Sequence, residues 1–100
     1  MLSEENLLET VTDMLNTEKV IGWFQGRMEF GPRALGNRSI LGDPSREGIA
    51  ERINAQIKYR ERWRPFCPSI LDRAAPEILQ TAHPSPYMTF AFRVADEWKE

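Results

Sequence analysis

Residues 26–44, GRMEFGPRALGNRSILGDP, constrain what this chain can fold into more than any other stretch. Gly26, Gly31, Pro32 and Gly36 fall close together among few good helix formers, so no helix runs through them. The elements on either side must therefore be separate and joined by a loop. A loop that merely connects would be expected to carry Asp, Asn and Ser for its turns. This one carries Arg33 and Arg38, five residues apart, on a backbone that glycine lets bend closely around a ligand. The pattern points to an anion.

The flanking sequence supplies the elements. Ser3 stands as an N-cap, with Leu2 and Leu7 spaced as a hydrophobic staple, and Leu7, Val11, Met14 and Leu15 repeat at helical spacing. These predict an amphipathic helix over 4–16. Residues 19–24 (KVIGWF) are short, apolar and partly β-branched, hence a strand, and 38–42 a second. Asp43-Pro44 is a helix start, cap then proline, and Ile49, Ile53 and Ile57 make one stripe of a helix ending near Tyr59. Pro65 and Pro68 confine any strand over 65–71 to an edge or bulge. Pro76 to Thr81 adds a short helix, and 87–94 (YMTFAFRV) has the aromatic, β-branched make-up of a further strand. The expected class is α/β or α+β: a small mixed sheet of three or four strands packed by helices. Leu7, Val11, Ile21, Phe24, Ile49, Ile53, Ile57, Phe66, Ile70 and Phe90 are its expected core.

The 100 residues suffice for one small domain or a fragment of one, and the apolar share of 41% and charged share of 28% are those of an ordinary globular chain. No run approaches the roughly 20 apolar residues that span a bilayer, so no membrane role is expected. The N-terminus, MLSEENLLET, is acidic where a signal peptide is basic, and the single cysteine, Cys67, precludes an internal disulfide. The expected location is the cytoplasm. The net charge of −2 conceals segregation: residues 27–73 hold nine of the ten arginines and carry a net +4, between acidic ends. Arginine suits planar, bidentate recognition of phosphate and carboxylate, whereas lysine serves solubility equally well. The imbalance favours an anion site.

Each candidate has a plainer alternative. The loop lacks the G-K-[ST] ending of a P-loop and the G-x-G-x-x-G spacing of a dinucleotide fingerprint. It is either an anion-binding loop or a structural one whose arginines pair with Glu29 and Glu61. Lys58, Arg60, Arg62 and Arg64 read as a solvated helix end favoured by the macrodipole, or, with Tyr59, Trp63 and Phe66 between them, as a nucleic-acid surface. Cys67, between Phe66 and Pro68, is expected to be a small buried hydrophobe. One cysteine and one histidine, His83, cannot build a zinc site of the usual kind or a histidine triad with a nearby nucleophile.

The strings GWFQGRMEFGPRALGNRSILGDP (22–44), INAQIKYRERWRPFCPSIL (53–71) and SPYMTFAFRV (85–94) resemble the C-terminal region of the NodU/CmcH-type O-carbamoyltransferases. The resemblance covers roughly residues 18–95. It implies part of a YrdC-like domain that takes carbamoyl phosphate and ATP, a co-substrate, to carbamoyl-adenylate. It also implies a partner absent from this chain: an N-terminal actin-like ATPase-type domain that holds the metal and passes the carbamoyl group to an acceptor hydroxyl. The start and end of the YrdC-like part are missing as well, and by this reading the chain alone is inactive.

By resemblance, Arg33 is the first candidate to contact carbamoyl phosphate, followed by Arg38, then Arg60 and Arg64, with Ser69 a hydroxyl donor to phosphate. Gly31 lets the backbone approach the anion, and Glu29 orients an arginine rather than acting as a base. Arg33 and Arg38 are the two assigned a catalytic part, spreading the charge that builds on phosphate oxygens. An incomplete YrdC-like unit leaves an edge or apolar face uncovered, so a homodimer is a further expectation. A nucleic-acid-binding module using residues 27–73, or a non-catalytic structural domain, are the alternatives.

Overall fold

A computed structural model describes residues 3–99. Two compact units divide the chain, the first ending at Phe66 and the second beginning at Cys67.

The first unit opens with α1, Glu4–Asn16. Ser3 caps it, its hydroxyl oxygen accepting the Asn6 N–H at 3.3 Å; Leu2, the other half of the expected staple, lies outside the described residues. The helix ends in a paired closure. The Glu18 N–H donates to the Leu15 carbonyl and the Lys19 N–H to the Met14 carbonyl, each at 2.9 Å. Such a closure needs a left-handed residue, and Glu18 takes that role (φ 60) in place of the usual glycine.

Two strands follow, β1 (Ile21–Phe24) and β2 (Arg38–Leu41), antiparallel, with Ile21 opposite Leu41 and Phe24 opposite Arg38. Period-two alternation turns Ile21 and Trp23 inward while Gly22 and Phe24 stay exposed. The Gln25 N–H donates to the Asn37 carbonyl at 2.9 Å and continues the ladder into the loop, so the strands pin both ends of residues 25–37.

Asp43-Pro44 does not start the next helix. The Asp43 carboxylate instead accepts from the Ser45 N–H (2.9 Å) and hydroxyl (2.7 Å), closing a side-chain turn that competes with helical bonding. Helix α2, Ile49–Ile53, begins after Gly48, which is left-handed at φ 76. It continues as one wider π-turn, Asn54–Lys58, closed by left-handed Tyr59 (φ 50). That turn rotates Ile57 off the isoleucine stripe. Ile53 is buried, Ile49 half-buried and Ile57 exposed.

In the second unit α3, Ala75–Ile78, carries Pro76 in its first turn. The chain returns to it through one isolated antiparallel pair, Leu79 opposite Val94, flanked by bonds from the Gln80 N–H to the Arg93 carbonyl and from the Ala95 N–H to the Ile78 carbonyl. His83 packs edge-on against Phe90 and Phe92, with ring centroids 5.0 and 4.8 Å away. A short 3-10 turn, Asp96–Trp98, follows.

The fold class is the expected mixture of helices and a small sheet, but the sheet has two strands. No strand forms over 65–71, where Pro65 and Pro68 withhold two ladder donors. None forms over 87–94, where left-handed Met88 (φ 53) breaks the extension. The core is correspondingly thin. Among the described residues Ile53 is the one buried hydrophobe, at 6% exposure. Leu7, Phe24, Ile57 and Phe90, expected inside, are exposed, and Val11, Ile21, Ile49, Phe66 and Ile70 are half-buried. Cys67 is exposed too, in a stretch without regular structure that gives it no wall to pack against. Among the described residues no helix is long and apolar enough to cross a membrane.

Candidate anion site

The loop between β1 and β2 is built around one carboxylate. Glu29, with only 11% of its side chain exposed, accepts the Leu35 N–H at 2.7 Å and the Asn37 N–H at 2.8 Å on the same oxygen. Its other oxygen lies 3.6 Å from the Arg38 Nε. The Arg38 guanidinium in turn donates to the Gly31 carbonyl. Glu29 thus closes the loop from inside by taking backbone donors that a bend of this tightness leaves without sheet partners. Its pKa is held below the ordinary value, chiefly by the Asn37 N–H. Desolvation, the next largest effect, opposes it, and the Glu29 backbone N–H, the Leu35 N–H and the Arg38 charge add to the lowering.

Polar side chains brace the rest. The Asn37 amide donates to the Arg27 carbonyl at 2.8 Å, and the Gln25 amide to the Gly36 carbonyl at 3.0 Å. The Gly36 N–H reaches the Ser39 hydroxyl at 3.2 Å. Gly31 (φ 144) and Gly36 (φ 107) hold backbone angles that side-chain-bearing residues rarely adopt.

These contacts divide the candidate arginines. Arg38 belongs to the brace. Arg33 is exposed and makes no ion pair among the described residues. Arg64 lies 3.9 Å from Glu61, with both side chains exposed, so that pair adds little. Pairing with Glu29 and Glu61 therefore accounts for Arg38 and Arg64 and leaves Arg33 unexplained. Arg60 stacks its guanidinium carbon 4.6 Å from the centre of the Phe66 ring. Ser69 is in the second unit, exposed, on a stretch without regular structure. Gly31 and Arg33 lie in one loop and Arg38 opens β2 at its end, Arg60 and Arg64 follow the π-turn, and no hydrogen bond or ion pair among the described residues joins the two groups.

Sequence reasoning had missed Gln25, Asn37 and Asn54. Asn54 was the most readable, since asparagine is a poor helix former and sits in the middle of an expected helix. Among the described residues no group of three or more His, Cys, Asp or Glu side chains could hold a metal. Two shallow hollows, of about 350 and 410 Å³, are lined by α1 with the Asp43 turn and by residues 17–20 with Arg52, Gln56 and Ile57; neither includes the loop.

Residues 12–100 match the family model described as carbamoyltransferase C-terminus. The chain is 45% identical over 95 residues to nodulation protein NolO of Bradyrhizobium diazoefficiens, covering 92% of this chain and 17% of that protein. Nodulation protein U of Rhizobium tropici is 39% identical, over 95% of this chain and 16% of its own length. The Synechocystis protein sll1178, uncharacterised, is 48% identical over 95% of this chain and 15% of its own length. The chain thus spans about a sixth of the length of such curated relatives. With a match that runs through both arginine strings and nearly the whole chain, it belongs to the carbamoyltransferase C-terminus family.

Proposed function

We propose that this chain is the anion-binding segment of an O-carbamoyltransferase, receiving carbamoyl phosphate and ATP for formation of carbamoyl-adenylate. The carbamoyl group then passes to an acceptor hydroxyl in an N-terminal domain of the parent enzyme. One observation carries the reading: a loop braced from inside by Glu29 presents Arg33 exposed, with its charge uncompensated among the described residues. Carbamoyl phosphate and ATP bring several mutually repelling charges together. Joining the carbamoyl group to the α-phosphate, with phosphate and pyrophosphate leaving and water consumed, moves negative charge among phosphate oxygens. A preset guanidinium stabilises that charge without proton transfer. Arg33 takes the phosphate of carbamoyl phosphate in this reading. Arg38, Gly31 and Glu29 fix the loop that carries it, while Arg60 and Arg64 supply further donors.

The test separates the two half-reactions in a full-length family member carrying these strings. Arg33→Ala should lower carbamoyl-adenylate formation by 30-fold or more, from the roughly 2–5 kcal/mol lost with a desolvated charge-assisted contact. Transfer from supplied carbamoyl-adenylate should be spared, because the phosphate held by Arg33 has already left. Arg33→Lys should restore little, since it keeps the charge and loses the fork. An equal fall in both half-reactions would make Arg33 a structural residue.

A nucleic-acid surface is the second reading, favoured by Tyr59 and Trp63, exposed at 78% and 79% beside Arg60, Arg62 and Arg64. Binding of single-stranded polymer that falls steeply with salt, and that carbamoyl phosphate does not displace, would support it instead.

A further inference from the structure

Asn54 is the residue on which the second arginine group turns. Its side-chain oxygen accepts the Arg60 N–H at 2.9 Å, and its amide nitrogen donates to the Arg60 carbonyl at 2.6 Å. The orientation of the amide follows from the chemistry. Turned over, it would set donor against donor and acceptor against acceptor. One side chain thus satisfies both backbone polar groups of Arg60, as a neighbouring strand would. The main chain assists, because the Tyr59 N–H reaches the Asn54 carbonyl at 2.7 Å and Tyr59 is left-handed. The chain reverses sharply between the π-turn and Arg60, and Asn54 spans the reversal.

The reversal delivers the Arg60 guanidinium to the Phe66 ring, 4.6 Å from its centre. There the Arg60 Nε is shielded from solvent and meets no acceptor among the described residues. The ring side of the guanidinium is thereby fixed before any ligand arrives, and a guanidinium whose orientation is preset makes charge-assisted bonds to an oxyanion with less ordering left to supply.

We infer that Asn54 is a positioning residue that, with Phe66 as a platform, presets the Arg60 guanidinium to bind an oxyanion of the phosphate class. This rests on the anion-binding reading above and adds to it a residue that touches no ligand. Holding the backbone of Arg60 removes ordering that binding would otherwise have to supply. Loss of the grip should therefore weaken the anion contact at Arg60 and leave Arg33, in another loop, unaffected.

The experiment reads arginine Nε–Hε signals by NMR in the isotope-labelled 100-residue chain, titrated with inorganic phosphate. In the unsubstituted chain the Arg60 Nε–Hε signal should stand apart from those of solvated arginines and shift further with phosphate. Asn54→Ala should return it towards the solvated position and weaken the phosphate response there by about two- to tenfold, the size set by ordering one long side chain. The Arg33 response should persist. Asn54→Asp keeps the acceptor for the Arg60 N–H and loses the donor, so it should fall between. Should Asn54→Ala collapse the amide spectrum, Phe66→Leu takes its place. It leaves the Asn54 grip intact, removes the ring, and should shift the free Arg60 signal and weaken its phosphate response. An unchanged Arg60 signal and affinity in either folded variant would overturn the proposal. If phosphate moved none of Arg33, Arg38 and Arg60 in the unsubstituted chain, the anion-binding reading would fail, whereas the effect of Asn54→Ala on the free Arg60 signal would still measure the grip.

Discussion

Gly36→Ala isolates what the loop backbone contributes, because a methyl group at that position meets nothing within 4 Å. Steric collision is therefore absent and the whole effect comes from the backbone angle. At φ 107 an L-residue is strained, by about 1–3 kcal/mol for sparsely populated regions of this kind. Relaxing that angle swings both peptide units of residue 36. The Gly36 N–H then leaves the Ser39 hydroxyl, its carbonyl leaves the Gln25 amide, and the Asn37 N–H leaves Glu29. Gly22→Ala is the control: that position also has open space and no left-handed angle, so alanine there should be neutral or stabilising by about 0.4–1 kcal/mol. A difference of about 2 kcal/mol between the two variants corresponds to a roughly 30-fold change in local opening. Amide hydrogen exchange at Asn37 reads it directly, with Lys19, in the α1 closure, as an internal reference. D-alanine introduced at position 36 by chemical ligation prefers positive φ and should restore protection. Equal protection of Asn37 in the Gly36→Ala and Gly22→Ala chains would refute the argument that a left-handed glycine holds the loop.

Two further outcomes follow from the same structure. The Glu29 pKa is depressed in the folded chain, so its carboxylate stabilises the loop fully above the ordinary glutamate value of 4.5, and that contribution disappears as the pH falls through the lower folded value. A pH titration following the Glu29 carboxyl carbon together with the Leu35 and Asn37 amides should give one shared midpoint below 4.5; a midpoint above it would remove Glu29 from the brace. Ile53→Ala should cost about 2 kcal/mol, the lower end for a buried isoleucine because a thin core can collapse into the space, read as a lower urea midpoint with loss of α2 helicity. An unaltered midpoint would mean that α2 packs on nothing.

The elements legible in sequence were those whose cause is local. Ser3 with the leucine spacing specified α1, and two short apolar runs on either side of a glycine-rich loop specified β1 and β2. The Asp43 turn was misread because Asp-Pro serves equally as a helix cap and as a side-chain-closed turn, and only the competing hydroxyl of Ser45 decides it. The stretches 65–71 and 87–94 have the composition of strands, but composition names the face to be covered and not a partner to cover it. In the site, the arginines and glycines were readable as types, and so was the orienting part of Glu29. Asn37 and Gln25 were not, since each works by reaching a backbone group brought near only when the chain has turned, and Asn54 stood out only as a poor helix former inside an expected helix.

That division has a physical consequence for the site itself. A two-stranded sheet is marginal on its own, and among the described residues one buried apolar side chain, Ile53, is there to support it. Phe24 and Met28, beside the loop, are exposed at 68% and 57% and add little burial. Apolar packing therefore cannot be what fixes the loop. The brace is polar: hydrogen bonds from two backbone N–H groups to one Glu29 oxygen, an ion pair with Arg38 at 3.6 Å from the other, and side-chain amide hydrogen bonds from Gln25 and Asn37. Such a network is directional, so it sets the position of the loop backbone more sharply than a thin core could. Removal of one member leaves the others short of a partner, at a cost exceeding that of the bond removed. The geometry around Arg33 should accordingly respond more to pH and to single polar substitutions in residues 25–39 than to truncation of Ile53. A loop organised in this way carries its own scaffold.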